Sequence, residues 1–461
     1  MTALATKIRI ARAVGKLTRA SGRGGGTSLP GKVLLRLEPH AITELSSRLS
    51  RGSVVISATN GKTTTATIAA TILERAGRTL VHNRAGANMA GGIASTLLSA
   101  AQLRNGIEGD TGLFEVDEFW LESVTDQVQP RALLLANLFR DQLDRYGELE
   151  TIADRWAHVV AGLASSSALV LNADDPLIAD LGRGRRDVLY FGIDDDSLAL
   201  PEMQHASDSK HCRHCGAPYR YDAIYLGHLG HYHCPNCGQR RPEPSVRAER
   251  ITLHGTSAAT FMLITPAGER SVFLRLPGLY NVYNALAATS LCLAIGIGID
   301  EIIAGLEAAT AAFGRAETIT LGQTKLQILL IKNPAGANEI LRTLALESEQ
   351  VDVLAILNDN IADGRDVSWV WDADFELLTP HLRRVTCAGT RAAELAVRLK
   401  YAGVPESAMS VVPNLPEALD QALDTAADGR VFALPTYTAL LALRDELSNR
   451  GHVSQYWETT A

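Results

Sequence analysis

A short buried strand that runs into a phosphate-type turn and then a helix constrains this chain more than any other feature. Val54-Val55-Ile56 is an apolar run of strand length, and a helical pattern covers Thr64–Ala76. Between them stands Ser57-Ala58-Thr59-Asn60-Gly61-Lys62-Thr63-Thr64-Thr65. Small residues in such a turn let backbone N–H groups approach phosphate oxygens, and the helix N-terminus adds positive potential. Lys62 is placed to reach the β- and γ-phosphates of a nucleotide, and the Thr63 hydroxyl to ligate magnesium. The turn departs from the full P-loop pattern, since Ile56 stands where its first glycine would be. Gly-Lys-Thr alone is weak evidence and fits a helix cap with a surface lysine. The strand and helix on either side make it an expected nucleotide site.

The same rhythm continues. Gly112–Val116, Ala132–Ala136 and Ala168–Leu171 read as short strands ending in polar residues, which implies βαβ units, a parallel sheet and an α/β fold. Ligands of such sheets sit at the carboxyl ends of the strands. Residues 246–276 read as antiparallel strands and Val282–Ala294 as a helix. A second αβ series follows Gly314, with strands at Leu326–Ile331, Val351–Leu357, Val385–Ala388 and Val431–Leu434. The expected division is a basic N-terminal arm over 1–42, a central domain over 43–314 with an insert at 208–242, and a C-terminal α/β domain over 315–461.

Composition narrows the class. With 461 residues, two or three domains are expected. Hydrophobic content of 46% and charged content of 21% fit a soluble globular protein. No apolar run is long enough to span a bilayer and no signal-peptide pattern opens the chain, so a cytoplasmic protein is expected. A net charge of −7 disfavours nucleic acid as a partner. Residues 1–37 differ, with eight basic side chains and no acid. Ile8, Ile10, Val14 and Leu17 could line one apolar helical face there. Packing of this arm on protein is the favoured reading, and contact with a membrane surface is the alternative.

Six cysteines are present, four of them clustered. Cys212-x-x-Cys215 and Cys234-x-x-Cys237 are separated by 18 residues, the spacing of a closed four-thiolate site for structural zinc. A reduced cluster or redox pair is the bland alternative. Cys292 lies in an apolar helix and reads as core, and Cys387 at a strand end is a weak nucleophile candidate.

Ala58–Thr65 resembles the Thr-Asn-Gly-Lys-Thr loop of Mur ligases and folylpolyglutamate synthetases, with Ala58 at the place of their usual glycine. Other segments fall in the same order. Glu115 in Phe114-Glu115-Val116-Asp117-Glu118 resembles their magnesium-binding glutamate. Asn137–Arg145 resembles an Asn…Asp-His-Leu-Asp stretch, and Asn172–Asp175 an Asn-Ala-Asp-Asp strand end. Asn281 and Asn284 resemble asparagines that approach adenine, and Gly314-Arg315-Ala316-Glu317 a hinge whose arginine reaches phosphate. The resemblance implies a Mur ligase-like central P-loop ATPase domain with a zinc-ribbon insert, plus a C-terminal Rossmann-like α/β domain. It implies ATP held by Thr59, Asn60, Gly61, Lys62, Thr63, Thr64, Asn137, Asn281, Asn284 and Arg315, and magnesium at Thr63 and Glu115. Two departures stand out: Gln142 replaces a metal-binding histidine, and Ile152–Val159 lacks the family's carbamylated lysine.

The four-cysteine insert and the C-terminal segments are similar to one branch, the MurT ligase subunits of lipid II isoglutaminyl synthase. Asn358–Trp369, Lys332–Asn338 and Pro435–Ala439 carry that likeness, with Thr436 in place of an asparagine. By resemblance, Asp366 is an essential aspartate near a glutaminase partner of the GatD type, either orienting that partner's catalytic histidine or handling ammonia or substrate in the ligase site; a loop aspartate capping a turn is the bland alternative. Lys62 and Glu115 complete the expected catalytic set. The implied activity is ATP-dependent amidation of the D-glutamate α-carboxylate of lipid II, through an acyl phosphate. Ammonia would come from the partner in a heterodimer, and lipid II would be met at the inner face of the membrane. An amino-acid-adding ligase and a non-catalytic zinc-ribbon nucleotide scaffold are the competing readings.

Overall fold

Parallel strands covered on both faces require near-continuous apolar sequence, and the central sheet is built from such runs. The computed structural model describes residues 3–20, 28–83, 87–102, 106–141, 149–204, 207–311 and 315–453. The first strands are β1 (Ser53–Ser57), β2 (Leu80–His82), β3 (Thr111–Glu115), β4 (Ala132–Leu135), β5 (Ala168–Asn172) and β6 (Val188–Ile193). A hairpin of β7 (Arg220–Leu226) and β8 (Leu229–His233) forms the insert, and β9 (Val246–His254), β10 (Ala258–Thr265) and β11 (Gly268–Leu274) follow. The order across the sheet is β11-β10-β9-β6-β5-β4-β1-β3-β2. It is parallel from β2 to β9 and antiparallel only at the β9-β10-β11 end.

Side chains alternate across a strand, and β1 shows the consequence. Val54 and Ile56 enter one buried cluster, Val55 the cluster on the opposite face. The latter holds three N-terminal helices, α1 (Ala3–Ala20), α2 (Leu29–Leu37) and α3 (Ala41–Ser46). Thus the segment expected as an arm is folded into the central core. Leu4, Ile8 and Ala11 are its inward residues, whereas Ile10 and Leu17 of the expected apolar face point outward. After β1 come α4 (Lys62–Arg75) and α5 (Ala90–Ala100). Helices α2 and α5 pack so closely that a Cβ on Gly31 would lie 1.9 Å from the Gly91 carbonyl oxygen. Arg12 ties α1 to the end of α5, donating to the carbonyls of Leu98 (2.7 Å), Ser99 (3.2 Å) and Ala101.

The second sheet contains β12 (Arg315–Leu321), β13 (Thr324–Leu329), β14 (Val351–Ile356), β15 (Leu382–Ala388), β16 (Met409–Val411) and β17 (Arg430–Pro435). Its order is β12-β13-β17-β14-β15-β16, parallel except for β12 against β13. The hinge glycine expected at Gly314 lies outside the described residues. Register places the carboxyl ends of the central strands together: Ile56 of β1 pairs with both Glu115 and Leu134. The loops after β1, β3 and β4 therefore meet at one edge.

Candidate active site

The turn after β1 is rigid because its neighbours bind its backbone. Asn137, just beyond β4, accepts from the Asn60 N–H through Oδ1 (2.9 Å) and donates from Nδ2 to the Asn60 carbonyl (3.0 Å). Its own carbonyl accepts from the Thr59 N–H (3.0 Å). Gly61 has φ +84° and sits immediately before α4. Any other residue would be strained there, and a Cβ would lie 2.1 Å from Asn284 Oδ1. Gly61 and the packed Asn284 are thus matched to each other. The asparagine cluster is joined internally, with Asn284 Nδ2 donating to Asn281 Oδ1 (3.0 Å) and Asn281 Nδ2 to the Pro277 carbonyl (2.7 Å).

Lys62 is almost wholly buried. Its ammonium donates to Glu118 Oε2 at 2.9 Å and to the Ala58 carbonyl. Burial opposes both charges, but the ion pair outweighs it on each side. Lys62 is held above the ordinary lysine range by Glu118, with Glu115 and Asp117 contributing. Glu118 is held below the ordinary carboxylate range by Lys62 and by Lys332. Glu115 is buried at the end of β3, its peptide fixed by Asn83, which accepts from the Glu115 N–H (2.9 Å) and donates to its carbonyl (2.7 Å).

The C-terminal domain reaches the same turn. Between β13 and the next helix, Lys332 donates to the Thr59 carbonyl (3.3 Å) and pairs with Asp141. Asn333 Nδ2 donates to Asn60 Oδ1 (2.9 Å) while its Oδ1 caps the helix Pro334–Leu344. Together the two domains enclose a cavity of about 370 Å³. Thr59 to Thr64, Glu115, Asn137, Asn281 and Asn284 all line it, as do Glu118, Asp141 and Lys332. An anionic ligand would meet two ammonium groups and the start of α4, and an adjoining cation would meet the carboxylates at the end of β3.

Other expected residues lie elsewhere. Asp366 is exposed on the loop after β14 and is not part of the cavity wall; the Ser368 hydroxyl, and the Ser368 N–H that its carboxylate accepts from (2.8 Å), hold it below the usual range. Asp174 and Asp175 are fully buried and structural. Asp174 accepts from Tyr283 Oη (2.7 Å), and Asp175 caps a helix through the Leu177 N–H (2.9 Å). The Arg315 side chain and Gln142 lie outside the described residues.

The insert presents its four sulfurs as a single group. Sγ atoms of Cys212, Cys215, Cys234 and Cys237 lie within 4.8 Å of one another, with Cys212–Cys237 at 3.5 Å and Cys215–Cys234 at 3.4 Å. Ligands about 2.3 Å from a tetrahedral zinc stand roughly 3.8 Å apart, so the donor set fits structural zinc. The hairpin also serves the cavity, since Leu226 and Leu229 form part of its wall. Between them, the ring of Phe139 packs against His228 with centroids 4.7 Å apart.

The fold and this two-domain cavity define a Mur ligase. The Mur ligase middle domain family matches residues 56–238. The solved structure of a pseudomurein peptide ligase type C from Methanothermus fervidus shares the fold, with a TM-score of 0.67 at 22% identity over 88% of this chain and 80% of that one. Within that class the C-terminal half is distinctive, and the MurT ligase C-terminal family matches residues 330–440. The lipid II isoglutaminyl synthase (glutamine-hydrolyzing) subunit MurT of Staphylococcus aureus (strain N315) is 33% identical over 445 residues, 96% of this chain and 97% of its own. Its counterpart from Streptococcus pneumoniae (strain ATCC BAA-255 / R6) is 32% identical, covering 93% of each chain. The chain belongs to the MurT family. Membership implies ATP use.

Sequence reading assigned no role to Glu118, Asp141 or Lys332. Each stands inside a segment that carries the family likeness, but their partners are 56, 191 and 191 residues away. The available signal was a surplus of charge at strand ends.

Proposed function

We propose that this chain is the ATP-using subunit of a glutamine-dependent carbon–nitrogen ligase that amidates the D-glutamate α-carboxylate of lipid II to D-isoglutamine in peptidoglycan synthesis. The observation that carries this reading is the strand–turn–helix holding Lys62 inside a cavity walled by both domains. A carboxylate is a poor electrophile because its leaving group would be oxide. Its oxygen attacks the γ-phosphorus of ATP, ADP leaves, and the product is an acyl phosphate. Ammonia then adds to the carbonyl, loses a proton, and phosphate departs with the former carboxylate oxygen. Lys62, together with Arg315, neutralises charge on the phosphoryl group. Thr59, Asn60, Gly61, Thr63 and Thr64 cradle the phosphates, with Asn137 bracing the turn and Asn281 and Asn284 towards the base. Thr63 and Glu115 supply oxygen donors for magnesium, which when bound lowers the repulsion between phosphate and incoming oxygen. Zinc at the four cysteines is structural.

The relatives named above are subunits of a glutamine-hydrolysing synthase, and this chain is read as acting in a heterodimer with a GatD-like glutaminase. Its two other thiols support that division of labour. Cys292 and Cys387 are buried, and burial pushes Cys387 up to about 12, unsuited to nucleophilic attack. Asp366, exposed and outside the cavity wall, is read as completing the partner's site by orienting its catalytic histidine. The complex acts in the cytoplasm, at the inner face of the membrane where its acceptor lies.

The test is reconstitution of the chain with its glutaminase, lipid II, ATP and glutamine. The stem peptide should show the mass change of an acid converted to an amide, dependent on ATP. Addition of an amino acid, or an unchanged acceptor with all components present, would refute the reading.

A further inference from the structure

Helix α1 buries one side and leaves another without cover among the described residues. Its inner side is fixed by Leu4, Ile8 and Ala11 in the core, by Arg12 on the carboxyl end of α5, and by Lys7 paired with Glu38 at 2.7 Å. The outer side consists of Thr6, Arg9, Ile10, Ala13, Lys16 and Leu17, all exposed. These six fall within about 120° of the helix circumference. Ile10 is 47% and Leu17 71% exposed, two large apolar side chains two turns apart on the same face. Arg9 and Lys16 run alongside them. Residues 1–37 contain no acid in a chain whose net charge is −7, so the basic charge is concentrated here. The adjoining α2 adds exposed Lys32, Arg36 and Leu29.

An apolar strip bordered by basic residues on a surface helix fits an anionic lipid interface, where apolar tips enter the acyl boundary and cations meet headgroups. We propose that the outward face of α1 docks this protein on an anionic lipid bilayer. Helix α1 leans on the carboxyl end of α5, and Met89, at the opposite end of that helix, belongs to the wall of the cavity. Docking would hold the protein at the surface that carries a lipid-linked acceptor. This purpose rests on the reading of the acceptor given above, whereas the binding itself does not.

The experiment uses the purified complex of this chain with its glutaminase and sedimenting vesicles free of lipid II, either phosphatidylglycerol-rich or pure phosphatidylcholine. The complex should bind the anionic vesicles preferentially, more weakly as salt rises. The variant Lys16→Glu should lose at least about fivefold in binding, and Leu17→Ser several-fold, with melting temperature and ATP binding unchanged. Leu17→Ser is the second probe if charge reversal impairs folding. Equal binding to neutral vesicles, or variants that bind within about twofold of the parent, would overturn the proposal. Binding by the isolated chain that vanishes in the complex would also overturn it, by assigning the face to the glutaminase. Because no acceptor is present, none of these outcomes depends on amidation.

Discussion

Lys62 has two jobs that can be separated. It is expected to hold phosphate, and it neutralises Glu118 inside the protein. Removing one member of a buried pair leaves an uncompensated charge, which costs about 3–5 kcal/mol. Lys62→Met should therefore lower stability by an amount near the lower end of that range, since Lys332 also acts on Glu118. The double variant Lys62→Met/Glu118→Gln should regain most of the lost melting temperature yet remain unable to turn over ATP. Recovery of turnover along with stability would mean that Lys62 serves only the fold. The lysine was legible in the sequence because its turn, strand and helix are contiguous. Its partner was not, since no local periodicity links residues 56 positions apart.

At the level of elements, the four-cysteine hairpin and the clasp between domains make distinct predictions. Cys234→Ser should reduce bound zinc, measured by metal analysis. It should also weaken ATP binding several-fold, because Leu226 and Leu229 at the hairpin tip form part of the cavity wall. Unchanged ATP binding in the zinc-depleted variant would uncouple the two. Elsewhere, Glu347 joins the domains by accepting from the Thr256 N–H (2.8 Å) and Oγ (2.7 Å) and from Arg430 (2.8 Å). Burial works against its charge, but these donors hold its folded pKa below the ordinary glutamate value. The stabilisation is thus present above that ordinary value, about 4.3, and is lost as pH falls through the lower folded value. Melting curves should show this acid-side loss in the parent and a smaller one in Glu347→Gln.

These elements also mark the limits of sequence reading. Val54–Ile56 sits within β1 and Ala132–Ala136 overlaps β4, because strands covered on both faces are written as apolar runs. The helix expected from Thr64 begins at Lys62, since Gly61 in a left-handed conformation starts it earlier. The packing of the basic N-terminal segment on protein agrees with its favoured reading, but its inward face is Leu4, Ile8 and Ala11, while Ile10 and Leu17 of the expected face point outward. The clasp at Glu347 was illegible, being formed by residues 83 and 91 positions apart.

For the whole molecule, the proposed function divides the chemistry between the two domains here and a second polypeptide. If Asp366 serves the partner's glutaminase, Asp366→Asn should abolish glutamine-driven amidation in the reconstituted complex while sparing amidation driven by added ammonium salt. Loss of both would place Asp366 in the ligase reaction instead. The central claim, that the turn from Asn60 to Thr64 passes a terminal phosphate to a carboxyl oxygen, has a more direct test. Lipid II bearing heavy oxygen in the D-glutamate α-carboxylate is amidated by the complex, and the released inorganic phosphate is examined by mass. Transfer of one carboxylate oxygen into that phosphate is the predicted result. Phosphate that stays unlabelled while the amide forms would contradict the account.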